Sequence, residues 1–169
     1  MTPIAIRPAI VADLPFLWDM LFESVFIADE ERAAWRRDPQ PPPELLRYLD
    51  AWGRPGDAAV VAQDASGIRL GAAWYRLFRT SDRGNGILSH HNVPELAIAV
   101  EPEHRGRHIG GDLLAALARI AKDEGFEHLV LSVDPDNVRA VRLYERVGFT
   151  HVDTVDPARG TSLIMELHL

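Results

Sequence analysis

Hydrophobic residues recur at intervals of three and four along four segments of the chain, and this spacing predicts amphipathic helices. The strongest pattern begins at Ile109 and ends at Gly125, and the others cover 11–26, 44–52 and 138–147. Shorter apolar or alternating runs predict strands. These runs cover 4–8, 58–62, 70–78, 96–100, 128–133, 152–155 and 163–167. The resulting order, β-α-α-β-β-β-α-β-α-β-β, predicts a mixed α/β fold with a central sheet and helices on both faces.

Polar segments separate these elements. Asp13 is the expected N-cap or first-turn acid of the first helix. Asp29 opens a polar stretch that runs to Pro43, and the pattern there predicts neither a helix nor a strand. Residues 64–67 predict the turn of a hairpin, and the polar, glycine-containing segment 79–92 predicts a long loop.

Composition narrows the class of protein. A length of 169 residues and a hydrophobic content of 47% predict a single domain over 1–169 with a substantial core. The chain has no cysteine, which excludes disulfides, thiolate metal sites and a cysteine nucleophile. A net charge of −7 argues against nucleic acid and anionic membranes as partners. No run reaches the ~20 apolar residues of a membrane span, and the N-terminus lacks a signal-peptide pattern, so we expect a cytoplasmic protein.

The turn between the strand at 96–100 and the strongest helix carries the first candidate site. Its residues are Arg105, Gly106, Arg107, His108, Ile109, Gly110 and Gly111. A helix N-terminus offers backbone N–H groups and the positive end of the helix dipole, and glycines allow a ligand to approach the backbone. With the two arginines, this predicts a pyrophosphate site. The alternative is a helix N-terminus with two solvated arginines. The glycine spacing fits neither a P-loop nor a dinucleotide-binding loop.

The short helix at 138–147 carries the second candidate site. Asn137 and Tyr144 lie seven residues apart, and two helical turns bring them to one face. The small side chain of Ala140 lies between them and leaves room for a ligand. The alternative for Tyr144 is a place in the core.

Together these segments resemble the GCN5-related N-acetyltransferase (GNAT) family over 95–149, about a third of the chain. The first resembles the family's Arg/Gln-x-x-Gly-x-Gly/Ala loop, and the second resembles its Asn-x-x-Ala-x-x-x-Tyr helix. The matching residues are Arg105, Ile109 and Gly110 in the loop, and Asn137, Ala140, Tyr144, Gly148 and Phe149 in the helix. His108 stands where the family usually has the first glycine of the loop. Because a positive φ is costly for most residues other than glycine, we expect His108 to keep ordinary backbone angles.

The resemblance implies a single GNAT-like domain with a central, mixed but mostly antiparallel sheet of about seven strands and helices on both faces. It also implies acetyl-coenzyme A (acetyl-CoA) as co-substrate. The backbone of Ile98, Ala99 and Val100 would pair with pantetheine as an added strand, while the loop 105–111 would hold the pyrophosphate. The cofactor-binding set implied by the resemblance is completed by Asn137, Ala140 and Tyr144.

The chemistry of acyl transfer suggests the remaining roles. The primary amine of a small molecule or peptide attacks the thioester directly and forms a tetrahedral intermediate, so no protein nucleophile is required. The resemblance suggests the backbone N–H of Ile98 as the donor to the oxyanion, and Tyr144 is placed to protonate the departing thiolate. Glu95 is the leading candidate for the base that deprotonates the amine, either directly or through water. The alternative for Glu95 is an exposed strand carboxylate.

The histidines favour no metal site. His104 and His108 straddle a turn and lack the glutamate of a zinc-binding helix. A solvated loop pair is expected at 90–91. Surface positions at strand ends are expected for His128, His151 and His168.

The acceptor amine is expected to approach from the first two helices, the segment 79–93 and the turn at 156–160. Acetyl-CoA and this amine are the expected partners, and a homodimer is left open. The alternative function is a catalytically weak GNAT-like module that binds coenzyme A and regulates, and His108 is the one feature that favours it.

Overall fold

The computed structural model describes residues 3–38, 42–78, 92–155 and 161–169, and these form a seven-stranded sheet covered by helices. The strands are β1 (Ile4–Pro8), β2 (Asp57–Asp64), β3 (Arg69–Arg76), β4 (Glu95–Val100), β5 (His128–Val133), β6 (Thr150–Val155) and β7 (Ser162–His168). The helices are α1 (Leu14–Ser24), α2 (Asp29–Arg37), α3 (Pro43–Leu46), α4 (Ile109–Asp123) and α5 (Val138–Val147). Within the described ranges, no helix is long and apolar enough to cross a bilayer.

The strand order in the sheet is β1-β2-β3-β4-β5-β7-β6. Neighbouring strands run antiparallel except β4 and β5, which are parallel. The predicted fold class, a mixed and mostly antiparallel sheet of about seven strands with helices on both faces, is therefore confirmed.

Each face of the sheet has its own hydrophobic cluster, because successive strand residues point to opposite faces. On one face, Leu113 and Leu117 of α4 pack against strand residues such as Leu96. On the other face, Leu17 and Met20 of α1 form the centre of the second cluster. The helical periodicity of α1 and α4 thus arises from burial against the two sides of one sheet.

The polar stretch after Asp29 contains a helix that the pattern did not predict. Three acids occupy the first turn of α2 and two arginines occupy its last turn, which is the favourable orientation relative to the helix dipole. Arg32 also donates to the carbonyls of Val25 and Ile27, at 3.1 and 3.2 Å. No side chain of α2 is fully buried, which explains why hydrophobic spacing gave no signal. The helix expected over 44–52 is also shorter, since α3 ends at Leu46.

Asp13 lies at the start of α1 and also pairs with two arginines from the sheet. Its side chain is fully buried and accepts hydrogen bonds from Arg7 at 2.6 Å and from the backbone N–H of Ile10 at 2.8 Å. Arg69 of β3 lies 3.0 Å from the same carboxylate. The hydrogen bond from Arg7 lowers the pKa of Asp13, against the opposing effect of its burial. One carboxylate thus joins β1, α1 and β3.

The turn from β4 into α4 gives His108 a left-handed backbone. His108 is the N-cap of α4 with φ +63° and ψ +3°, and Gly106 has φ +80°. The expectation of ordinary backbone angles at His108 was wrong, because the turn requires positive φ at both positions. Histidine is one of the residues that tolerate this region more readily, and the His108 side chain is exposed.

Replacing His108 with glycine should stabilise the protein. Removing the left-handed strain outweighs the greater freedom of glycine in the unfolded chain, so His108→Gly should raise the free energy of unfolding by about 0.5–1 kcal/mol. The melting temperature should rise by about 2–4 °C in thermal unfolding. The matched control is His108→Ala, which keeps a Cβ and should lower stability. A glycine variant less stable than wild type would show that the imidazole itself stabilises the turn.

Candidate active site

The site begins where β4 and β5 diverge. A single register pair, Glu95 with Val130, joins the two strands, and Val130 N donates to Pro94 O at 3.0 Å. The other edge of β4 pairs with β3 as far as Val100. Among the described residues, β4 therefore has no strand partner on its β5 side beyond Glu95. A cavity of about 920 Å³ opens along this edge.

The cavity brings together almost all the residues that the sequence assigned to the cofactor. Those that line it are Ile98, Ala99, Val100, Arg105, Gly106, His108, Ile109, Gly110, Gly111, Asn137, Ala140 and Tyr144. Arg107 is the exception, since it does not line the cavity and its guanidinium lies 3.3 Å from Nδ1 of His104. The two motifs, more than 25 residues apart in the chain, thus form one cleft.

The N-terminus of α4 is open toward this cleft. The helix has no side-chain cap, and within the described ranges the N–H groups of Ile109 and Gly110 have no hydrogen-bond partner. In the described part of the chain, no atom beyond the adjoining residues and the backbone of α4 lies within 4 Å of the position that a Cβ would take at Gly106 or Gly111. These N–H groups and the positive end of the helix dipole can bind an anion.

Gly110 lies close to α5 as well as at the start of α4. A Cβ at this position would lie 2.9 Å from Cδ2 of Leu143 on α5 and 3.9 Å from Cδ1 of Ile98. A side chain at this position would require the Leu143 side chain to shift, so the glycine accommodates the contact between α5 and the start of α4. Gly110 also lines the cavity, and the close approach of a phosphate to it stays a prediction.

Positive charge at the cavity comes from more residues than the turn supplies. Arg32 of α2 also lines the cavity, as do Arg139, Arg142 and Arg146 of α5. Of the two arginines that the sequence assigned to the pyrophosphate site, Arg105 lines the cavity and Arg107 does not. The three arginines of α5 follow one another at intervals of three and four, so helical spacing was the signal that would have found them.

Arg105 has protein partners of its own. Its Nε donates to the carbonyl of Val100 at 3.0 Å, and its guanidinium lies 3.2 Å from the carboxylate of Glu23 at the end of α1. Glu23 is nearly buried and also pairs with Arg32 and Arg36. Arg105 thus connects the turn, β4 and α1 at the rim of the cavity.

Tyr144 packs in the hydrophobic core and also borders the cavity. It is 8% exposed and belongs to the hydrophobic cluster of α4, where its ring centroid lies 5.7 Å from that of Phe149. It also lines the cavity, and in the described part of the chain its hydroxyl has no hydrogen-bond partner. Burial raises the pKa of Tyr144, so the hydroxyl is protonated at neutral pH. Asn137 caps α5 by accepting from the N–H of Ala140 at 3.3 Å.

Glu95 is buried, whereas the alternative from the sequence was an exposed carboxylate on the strand. It is 2% exposed and does not line the cavity. Its carboxylate accepts a hydrogen bond from the hydroxyl of Tyr48 and lies 3.5 Å from the guanidinium of Arg47. Burial, followed by the charge of Glu95, raises the pKa of Tyr48, which stays protonated. Arg47 is fixed in turn by the rings of Tyr48 and Phe78, at 4.9 and 5.1 Å.

The wall opposite α5 comes from the connection between α1 and α2. Residues 23–27, Asp29 and Arg32 line the cavity here. The approach of the acceptor along the first two helices stays a prediction. The segments 79–91 and 156–160 lie outside the described residues, and with them lie the predicted loop histidines at 90–91 and the predicted turn.

Comparison with known proteins gives a consistent result. The model of the acetyltransferase (GNAT) family matches residues 22–149. An L-methionine sulfoximine/L-methionine sulfone acetyltransferase of Pseudomonas paraeruginosa is 30% identical over 145 residues, which cover 86% of this chain and 79% of the relative.

Solved structures share the fold. A GCN5-related N-acetyltransferase from Kribbella flavida superposes with a TM-score of 0.69 at 26% identity and covers 98% of each chain. The structure of yncA from Salmonella typhimurium with its cofactor acetyl-CoA gives a TM-score of 0.67 at 21% identity, with coverage of 99% and 95%. With the diverging strands and both motifs at one cavity, these matches show that the chain belongs to the GNAT family and is an N-acetyltransferase that uses acetyl-CoA.

Proposed function

We propose that this enzyme acetylates the amino group of a small amino-acid acceptor. The observation that carries the proposal is the open edge of β4, which meets the uncapped N-terminus of α4 at one end of the cavity and runs past Tyr144. The acceptor class is supported by the relative that acts on L-methionine sulfoximine and sulfone. Residues 1–169 act as one domain in this proposal, and a cytoplasmic location and self-association stay predictions.

The cofactor would lie along β4. Pantetheine would pair with the backbone of Ile98, Ala99 and Val100 as an added strand, because that edge has no partner beyond Glu95. The pyrophosphate would accept from the N–H groups at the start of α4, with 105–111 around it. The arginine face of α5 would offset the remaining phosphate charge.

The reaction would proceed by direct attack. The amine nitrogen forms a bond to the thioester carbon, and the carbonyl electrons move to an oxyanion that the N–H of Ile98 stabilises. The C–S bond then breaks as the oxyanion collapses. The thiolate takes a proton from the hydroxyl of Tyr144, which is protonated and faces the cavity.

Glu95 would act through water. A carboxylate that is buried and does not line the cavity is badly placed for direct contact with the amine, whereas a water molecule can relay the proton. Tyr48 cannot serve as the base because its hydroxyl stays protonated. Its hydrogen bond and the nearby Arg47 hold the Glu95 carboxyl group in one position.

The charges near α1 and α2 favour a zwitterion over a polycation. Both acids that line this wall are already paired, Glu23 with three arginines and Asp29 with Arg32 at 2.7 Å. A polyamine would therefore find little unneutralised negative charge. An amino acid brings its own carboxylate, which a guanidinium can bind.

A panel of acceptors tests this class. Free L-methionine sulfone and sulfoximine should be acetylated with a kcat/KM about 10–100-fold above their methyl esters, because the esters lose a charged hydrogen bond. Spermidine and a short peptide should be acetylated with a kcat/KM lower than that of the methyl esters. Release of coenzyme A can be followed with a thiol reagent, and the chain has no cysteine to react with it.

The outcomes of the panel separate the possibilities. Preference for spermidine would contradict the amino-acid class while leaving acetyl transfer intact. Binding of acetyl-CoA without turnover on any amine would instead support the regulatory alternative. The comparisons give that alternative no support, since the relatives named here are acetyltransferases.

Removing the hydroxyl of Tyr144 should impair chemistry and spare binding. Tyr144→Phe should lower kcat by ~10²-fold or more, as expected for loss of a general acid, with little change in the affinity for acetyl-CoA. The matched control is Phe149→Leu, which alters the packing of the same ring and keeps the hydroxyl. A Tyr144→Phe enzyme with the kcat of wild type would limit Tyr144 to the core.

Removing the charge of Glu95 should give a defect that depends on pH. At pH 7, Glu95→Gln should lower kcat/KM by about 10²–10³-fold. The deficit in kcat/KM should narrow as the pH rises, because an α-amino group that has already lost its proton needs no base. Tyr48→Phe is the control, since it removes a hydrogen bond and keeps the carboxylate. If kcat/KM of both variants stays below that of wild type by the same factor from pH 6.5 to 9.5, Glu95 has only a structural role.

A further inference from the structure

Three side chains at one end of β5 and β7 form a cluster outside the cavity. His128 of β5 and His168 of β7 are direct cross-strand partners, so their side chains share a face of the sheet. Glu166 lies two residues before His168 in β7 and therefore points to the same face. None of the three lines the cavity.

The distances within this cluster suit one metal ion. Oε1 of Glu166 lies 2.9 Å from Nδ1 of His128 and 3.5 Å from Nε2 of His168, and the three atoms all lie within 4.8 Å of one another. Nitrogen and oxygen ligands of a tetrahedral zinc ion stand about 2.0–2.1 Å from the metal, hence about 3.3 Å apart. The two shorter separations already lie on either side of this value.

The orientation of His128 gives an independent indication. Its Nδ1 is buried and has no hydrogen-bond partner within the described ranges, although Glu166 Oε1 is only 2.9 Å away. The two atoms are therefore close without being aligned as donor and acceptor. A buried polar atom without a partner is costly, and a cation at the point that both atoms face would satisfy them together.

We propose that His128, Glu166 and His168 bind one Zn²⁺ ion that fastens the start of β5 to the end of β7. Two imidazoles and a carboxylate suit zinc, whereas Ca²⁺ and Mg²⁺ prefer oxygen ligands alone. His168 is 77% exposed, which leaves the fourth position to water. The site lies apart from the cavity, so its role is structural. It replaces the expectation of no metal and of simple surface histidines at 128 and 168.

Metal titration of the tag-free, chelator-treated chain tests the proposal. Calorimetry with ZnCl₂ should give one ion per chain, and the melting temperature should rise by about 5–10 °C at 100 times the dissociation constant. MgCl₂ at the same concentration should give no shift. His168→Ala and Glu166→Gln should each abolish the zinc-dependent shift, while His151→Ala, an exposed histidine of β6, should retain it.

A second measurement identifies the ligand atoms. Imidazole ¹⁵N resonances should show zinc on Nδ1 of His128 and on Nε2 of His168. The proposal is overturned if zinc gives no shift, if His168→Ala keeps the wild-type shift, or if zinc resides on other histidines. An aligned N–H of a protonated His128 to Glu166 that persists with zinc present would likewise overturn it in favour of an ion pair.

Discussion

The divergence of β4 and β5 is the constraint on which the active site depends. Backbone N–H and C=O groups are strong hydrogen-bonding groups, and a sheet normally satisfies them with the next strand. After the register pair of Glu95 and Val130, β4 loses its neighbour and presents an edge to a water-accessible cavity. An extended ligand can supply the missing partner, so the gap in the sheet is itself a binding surface.

Close packing of α4 against α5 determines what else faces that gap. The missing side chain at Gly110 lets Leu143 approach the first turn of α4. This contact brings α5 alongside the helix N-terminus, and with it come the hydroxyl of Tyr144 and three arginines. Groups that lie 29 to 36 residues after Gly110 in the chain thereby line the same cavity as the start of α4.

Sequence patterns predicted the elements that bury an apolar face and missed those held by polar contacts. The helices α1, α4 and α5 and the order of the elements along the chain follow from hydrophobic spacing, and both cofactor motifs were found because their residues are close in sequence. By contrast, α2 has no buried side chain and is held by Arg32 on two backbone carbonyls.

The parts of the site that were missed depend on contacts between distant segments. Burial of Glu95 requires Tyr48 and Arg47, which precede it by more than 40 residues. The cluster of His128 with Glu166 depends on the register between β5 and β7, which no local pattern specifies. The spacing of the arginines in α5 predicts that they share one face of the helix. That this face borders the cavity follows from the packing of α5 on α4.

The left-handed backbone of His108 has a consequence for the thermodynamic cycle of binding. The left-handed φ of +63° belongs to the turn that begins α4, so the cost of that angle is incurred when the chain folds. The same cost is then present in the free enzyme and in the enzyme with bound cofactor. It therefore cancels from the free energy of binding, which is the difference between these two states. An energetically poor residue in the phosphate turn therefore lowers the stability of the protein while leaving its backbone preorganised for the cofactor.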